Sequence, residues 1–310
     1  MRVIFFGTSA FAVPSLDALV QHRHQVVMCV TQPDRPQGRG LASEPSPVKR
    51  AAQRLTLPLS QPQRPTAELV AGVQPDLGVV IAYGQLIRPP LLALPAHGMI
   101  GVHPSLLPRY RGAAPVAWAI LGGETMTGVS IFRLSERLDA GEVILQQREA
   151  IDPHEDAERL TERLSRVGAQ LLVQACEQIA AGTAHAAPQD EAAASVAPKL
   201  TKAQGLIDWN QPATAIERQI RALAPWPGAA AQWEHQLLKI WKADARPEAT
   251  DAPPGTVVHA DPEGLVVATG QGTLMLTDVQ PAGKRRMSVR EFLAGHHVRI
   301  GARFGLTGEA

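Results

Sequence analysis

An imidazole and a carboxylate occupy positions from which a sheet protein could carry out acid–base chemistry. His103 follows an apolar run at residues 99–102, and Asp139 lies in the loop after a second run at residues 129–134. Ligands of open parallel sheets gather at the carboxyl ends of the strands. A carboxylate beside an imidazole makes a proton-transfer pair. Singly, each residue also has a plainer reading: His103 as a loop histidine bonded to a backbone carbonyl, and Asp139-Ala140-Gly141 as a turn. Other reactive chemistry is sparse. Cys29 and Cys176 match no ligand or redox spacing, and Cys29 sits in the apolar run 26–30 as a small core residue. The pairs His22/His24 and His296/His297 lack accompanying ligands, so no metal is expected. Gly7-Thr8-Ser9-Ala10 follows the first strand without the GxGxxG spacing of a dinucleotide site, which argues against a nicotinamide dehydrogenase.

The elements that must position such a pair alternate between strand and helix. Apolar runs at residues 2–6, 26–30, 77–82, 99–102 and 129–132 predict strands, and residues 11–20, 47–55 and 155–181 have helical periodicity. In the last helix Leu160, Leu164, Val167, Leu171 and Leu172 share one stripe. This alternation predicts an α/β, Rossmann-like domain with a mostly parallel sheet. Residues 182–197 are rich in Ala, Asp and Glu without a period. Beyond them, one helix at 213–223 is followed by short β-like runs at 230–235, 237–241, 255–259, 265–269 and 273–278. Those runs predict a small, OB-like β-barrel. The expected division is a catalytic domain over 1–189, a linker over 190–206 and a barrel over 207–310.

Composition sets wider limits. A chain of 310 residues with 45% hydrophobic content is long for one core, which agrees with two domains. The 30 basic and 29 acidic residues leave +1, a sum that does not advertise nucleic-acid binding, although a local basic face can act whatever the total. No apolar stretch is long enough to span a bilayer and no signal-peptide pattern opens the chain, so a cytoplasmic location is expected.

Longer motifs sharpen the reading of both polar residues. The segment Gly101-Val102-His103-Pro104-Ser105-Leu106-Leu107-Pro108-Arg109-Tyr110-Arg111-Gly112-Ala113-Ala114-Pro115 closely resembles the signature of the folate-dependent formyltransferase family. Leu138-Asp139-Ala140-Gly141 resembles the second signature of that family. Further segments resemble the branch whose amine substrate is methionyl initiator tRNA. They are Thr31-Gln32-Pro33-Asp34-Arg35-Pro36 with Gly38-Arg39-Gly40 and Ser46-Pro47-Val48-Lys49, then Ile207-Asp208-Trp209, Pro225-Trp226-Pro227 and Pro281-Ala282-Gly283-Lys284.

The resemblance implies a reaction. A neutral amine attacks the formyl carbon of 10-formyltetrahydrofolate, and His103 supplies hydrogen bonding or positive charge to the oxygen that becomes negative. Asp139 holds the imidazole and relays protons through water. Ser105, Leu106, Leu107 and Pro108 match the strip along which the folate lies, whose apolar content suits a flat ring system. The family triad includes an asparagine two residues before the histidine, and that position is Gly101 here. Loss of one oxyanion donor commonly costs about 10²–10³ in rate, so impaired turnover is expected, with water entering the vacated volume and Gly101→Asn raising the rate. Arg39 and Lys49 in the early loop, and Lys284, Arg285 and Arg286 in the barrel, are the expected tRNA contacts. No membrane partner is expected, and the chain is expected to act as a monomer. Two other readings stay open: a formyltransferase acting on an amino sugar or another small amine, and a non-catalytic folate- or tRNA-binding relative.

Overall fold

The runs that read as continuously apolar become the middle of a sheet. The computed structural model describes residues 1–37, 42–234 and 236–305. Seven strands, β1 (Arg2–Gly7), β2 (Gln25–Val30), β3 (Leu59–Ser60), β4 (Leu77–Ile81), β5 (Met99–His103), β6 (Met126–Arg133) and β7 (Val143–Ala150), share one sheet. Their spatial order is β7-β6-β5-β4-β1-β2-β3. The strands β1 to β5 are parallel, whereas β6 and β7 run antiparallel to their neighbours. Val3, Ile4, Phe5 and Phe6 have no exposed surface, as a strand covered on both faces requires. The mostly parallel Rossmann-like sheet expected from the alternation is therefore the one that forms. The edge strand β7 is not foreshadowed, because its sequence turns polar after Leu145.

Helix starts follow local chemistry. Helix Pro47–Arg54 begins where Ser46 Oγ accepts a hydrogen bond from the Lys49 amide at 3.0 Å, with Pro47 in its first turn. The long helix Ala157–Ala180 buries Leu160, Leu164, Leu171 and Leu172, while Val167 is partly exposed.

The chain divides into two compact units. The first comprises Met1–Pro115, Met126–Ala150 and Thr161–Ala197, and the second Val116–Thr125, Ile151–Leu160 and Pro198–Ala310. Composition suggested one change near residue 200, but two earlier segments already belong to the second unit. Nor is the segment at 190–206 a featureless linker. It holds a 3-10 turn at Glu191–Ala193, a strand pair between Val196–Ala197 and Arg111–Gly112, and a second 3-10 turn at Ala203–Gly205.

In the second unit, β8 (Ala229–Trp233), β9 (Gln236–Arg246), β10 (Val257–Asp261), β11 (Gly264–Ala268) and β12 (Thr273–Pro281) form an antiparallel sheet. The order is β8-β9-β12-β11-β10, with Met287–Ser288 added to β12. A short C-terminal segment bridges both edges: Arg303 pairs with Thr256 beside β10, and Gly305 pairs with Gln232 of β8. That segment links the two edge strands, as closure into a small barrel requires. Between the bridges Phe304 is buried, its ring 5.2 Å from Trp209 and 4.7 Å from Trp233. His235, at the end of one expected strand, lies outside the described residues.

Candidate active site

His103 is the last residue of β5 and is buried, with 6% of its surface exposed. Its Nε2 donates to the Tyr110 carbonyl at 2.9 Å, and since a carbonyl only accepts, that nitrogen carries hydrogen. On the other side of the ring, Nδ1 lies 3.7 Å from Asp139 Oδ2. The two signature motifs thus converge, at a separation just beyond a direct hydrogen bond. Oδ2 of Asp139 also accepts from the Gly112 amide at 2.8 Å, which orients the carboxylate. Both loops are held in uncommon backbone conformations. Tyr110 has φ +60° and Asp139 has φ +50°. Aspartate tolerates that region, whereas for a bulky residue such as tyrosine it costs roughly 1–2 kcal/mol. The Tyr110 amide is secured by Ser195 Oγ at 2.9 Å and the Arg111 amide by the Ser195 carbonyl at 2.8 Å. Strain of this kind persists where surrounding contacts over-determine it.

The strip that follows His103 is fixed from beneath. Ser130 on β6 accepts from the Leu107 amide at 3.0 Å and donates to the Ser105 carbonyl at 2.7 Å. Gln146 on β7 donates to the Leu107 carbonyl and to Ser130 Oγ, each at 2.8 Å. The Ser105 hydroxyl donates to the Arg109 carbonyl at 2.6 Å. Ser105 and Leu107 are buried, while Leu106 and Pro108 are partly exposed and form the apolar part that a flat ring could meet. Neither Ser130 nor Gln146 was evident from sequence, because their importance depends on strand pairing.

The Asp139 loop is clamped by the segment whose composition reads as a linker. Gln189 Nε2 donates to the Asp139 carbonyl at 2.8 Å and to the Gly141 carbonyl at 2.6 Å. Gln189 Oε1 accepts from Arg111 at 2.7 and 3.0 Å. Glu191 receives Arg111 at 3.0 Å and Arg137 at 2.7 Å. Hydrogen bonds from these two guanidinium groups push the Glu191 carboxyl down to about 2 from its ordinary 4.5. Because the folded value is depressed, its contribution to stability is complete above about 4.5 and is lost as pH falls toward about 2. Between those values the Tm of the parent is expected to fall more steeply with acid than that of Glu191→Gln. Parallel Tm curves for the two chains would show that the clamp does not form.

The expected water beside Gly101 has no room. Gly101 pairs with Phe132 across β5 and β6, and Phe132 is buried with its ring edge-on to His103 at a centroid distance of 6.3 Å. A Cβ built at Gly101 would lie 2.6 Å from Phe132 Cε1, 2.9 Å from its Cζ and 3.1 Å from Leu134 Cδ1. The volume expected to be vacant is filled by an aromatic ring. A single Gly101→Asn change would therefore not simply supply a donor.

Residues 1–176 match the formyl transferase model, and residues 199–297 match the model of the formyl transferase C-terminal domain. The chain belongs to the formyl transferase family. A methionyl-tRNA formyltransferase of Thermus thermophilus is 46% identical to this formyl transferase over 309 residues, covering 98% of this chain and 99% of the relative. Two solved structures share its fold at low identity. One is an N-formyltransferase of Helicobacter canadensis in complex with folinic acid and dTDP-3-aminofucose, with TM-score 0.69, 17% identity and coverage of 91% and 99%. The other is HypX of Aquifex aeolicus in complex with tetrahydrofolic acid, with TM-score 0.65 and 18% identity. This formyl transferase covers 47% of that longer chain, and 94% of its own length is matched.

Several remaining candidates in this formyl transferase have plain structural roles. Cys29 and Cys176 are buried, and burial pushes both thiols up to about 12, which makes them poor nucleophiles. Among the described residues no group of three or more His, Cys, Asp or Glu is placed to hold a metal, and no helix is long and apolar enough to cross a membrane. Lys49 forms an ion pair with Asp34, whose other oxygen accepts from Gln61 at 2.7 Å, so Lys49 braces the base of the early loop. Those hydrogen bonds hold the Asp34 carboxyl below its ordinary range. Arg39 lies outside the described residues. In the second unit Lys284, Arg285 and Arg286 are exposed at the end of β12. Arg285 pairs with Glu291 at 2.7 Å and Arg286 with Asp278 at 3.4 Å. Arg286 and Lys239 also sit over Trp241, at 5.5 and 5.4 Å from its ring centroid, an aromatic and cationic cluster that sequence reading missed.

Proposed function

We propose that this formyl transferase moves the formyl group of 10-formyltetrahydrofolate onto the amino group of methionyl initiator tRNA. The observation that carries the reading is the convergence of His103 and Asp139, from separate motifs, beside a strip whose backbone is held by Ser130 and Gln146. The near-full-length likeness to an enzyme named for methionyl-tRNA supports the choice of amine, and the folate-bound formyltransferase of the same fold supports the choice of donor. In this reading the amine nitrogen forms a bond to the formyl carbon, and the formyl oxygen takes up the negative charge. His103 stabilises that oxygen with its Nε2 hydrogen, which the oxygen takes over from the Tyr110 carbonyl. Collapse of the intermediate breaks the bond to the folate nitrogen, while the surplus amine proton leaves through water toward Asp139 and the folate nitrogen is protonated. Ser105, Leu106, Leu107 and Pro108 seat the folate. Gly101 contributes no donor, so turnover relies on His103 and the surrounding backbone.

The barrel over residues 207–310 supplies the tRNA-binding face, with Lys284, Arg285 and Arg286 meeting phosphates and Arg39 and Lys49 serving the early loop. The chain works as a monomer in the cytoplasm. The deciding experiment is formyl transfer from 10-formyltetrahydrofolate to methionyl initiator tRNA, with an amino-sugar nucleotide as competitor. Formylmethionyl-tRNA as the product supports the reading, and preferential formylation of the sugar overturns it. If the basic cluster contacts phosphates, tRNA affinity falls steeply with salt. Removing Lys284 or Arg286 is then expected to weaken binding and lower the log–log salt slope by about one per lost contact. An unchanged slope in filter-binding titrations would remove that face from the tRNA interface.

A further inference from the structure

We infer that Gly101 and Phe132 are a matched pair, and that Phe132 is the residue that positions the His103 ring. The two residues are directly opposed in the β5–β6 register. Side chains at 101 and 103 share one face of β5, because successive residues of a strand alternate. With no side chain at 101, the Phe132 ring lies over the strand backbone and reaches His103 edge-on, at an interplanar angle of 84°. The imidazole is thus bounded on three sides: by the Tyr110 carbonyl at Nε2, by Asp139 at Nδ1, and by the ring of Phe132. The first two set which atoms the nitrogens face. The third is apolar and meets the imidazole edge-on.

The same geometry makes the two positions interdependent. Only Cε1 and Cζ of Phe132 come within 3.0 Å of a Cβ at 101. Leucine ends at Cδ, one bond short of Cε1 and two short of Cζ, so Phe132→Leu removes both obstructing atoms. The next nearest atom, Leu134 Cδ1 at 3.1 Å, requires a shift of only a few tenths of an ångström. An asparagine at 101 is therefore harmful beside Phe132 and tolerated in the Phe132→Leu background. The sign of one substitution depends on the other, as expected for residues in contact.

The test is a double-mutant cycle of Gly101→Asn and Phe132→Leu in the full chain, read by Tm and by steady-state formyl transfer. The kinetic arm rests on the proposed function; the Tm arm does not. Gly101→Asn alone is expected to lower Tm and to reduce kcat roughly tenfold or more, through displacement of the ring from His103. Phe132→Leu alone is expected to reduce kcat about tenfold with KM for both substrates within about twofold, the signature of lost positioning rather than lost binding. In a His103→Asn background Phe132→Leu should then change kcat no further. The double variant should exceed Phe132→Leu in kcat and recover Tm relative to Gly101→Asn. Additive Tm changes, or a Gly101→Asn chain as stable as its parent, would overturn the pairing. A kcat loss from Phe132→Leu that persists in the His103→Asn background would overturn the positioning role. Absence of formyl transfer to methionyl initiator tRNA in every chain, with Tm coupling intact, would overturn the functional reading and leave the pair standing.

Discussion

Asp139→Asn is expected to lower kcat by about 10²–10⁴ while leaving Tm near that of the parent. The substitution keeps the shape of the side chain and one oxygen able to accept from the Gly112 amide, which lies 2.8 Å from Oδ2. The loop should therefore stay in place. What disappears is the charge that faces His103 Nδ1 across 3.7 Å, together with the capacity to receive a proton. An amide NH₂ presented to Nδ1 would donate to it, which favours the neutral ring with its hydrogen on Nε2 and removes support for a positive charge on the imidazole. Steady-state kinetics beside thermal melts separate the outcomes. A loss of less than about threefold would place the proton path elsewhere. A parallel fall in Tm would mean that Asp139 holds the loop rather than the chemistry.

Gly141→Ala is expected to cost about 10² in kcat/KM although residue 141 has no reactive group. Its φ is not in the left-handed region; the constraint is proximity. A Cβ on Gly141 would stand 1.8 Å from the Arg133 carbonyl oxygen, and real Cβ contacts do not fall below 3.0 Å. The loop must back away from β6 by roughly an ångström, carrying Asp139 two residues upstream with it. Displacements of that size in a catalytic constellation commonly cost about 10²-fold. The Gln189 hydrogen bond to the Gly141 carbonyl, 2.6 Å long, would be stretched by the same movement. Activity within about threefold of the parent would show that the loop adapts without moving the carboxylate.

The sequence made the sheet readable where burial on both faces writes an unbroken apolar run, as in β1, β4 and β5. It made β7 unreadable because only its first residues are apolar, and its place at the edge follows from pairing with β6. His103 and Asp139 could be singled out because each stands in a long motif and at a strand end. Gln189, Glu191 and Ser195 could not. They lie in a stretch whose composition resembles a linker, and their hydrogen-bond partners are about 50 to 85 residues away in sequence. Phe132 was hidden for a related reason. An aromatic residue on a buried strand is ordinary, and its meaning comes from the glycine that the register sets opposite it. For Lys49 the sequence showed a basic residue in a glycine- and proline-rich loop but not its ion pair with Asp34, which depends on how that loop folds back.

The position of the clamp along the chain has a consequence for how the protein is made. Strands β1 to β7 are complete by Ala150, whereas Gln189, Glu191 and Ser195 leave the ribosome about 40 residues later. Domains form progressively as they emerge, at about 5–20 residues per second. Until the clamp arrives, its hydrogen bonds cannot hold Tyr110 or the Asp139 loop in their uncommon backbone conformations. On this order of emergence, the sheet is expected to form before its chemical centre is set. In ribosome-bound chains of increasing length, hydrogen exchange should find the amides of β1 and β4 protected at lengths where those of Tyr110 and Arg111 are still open.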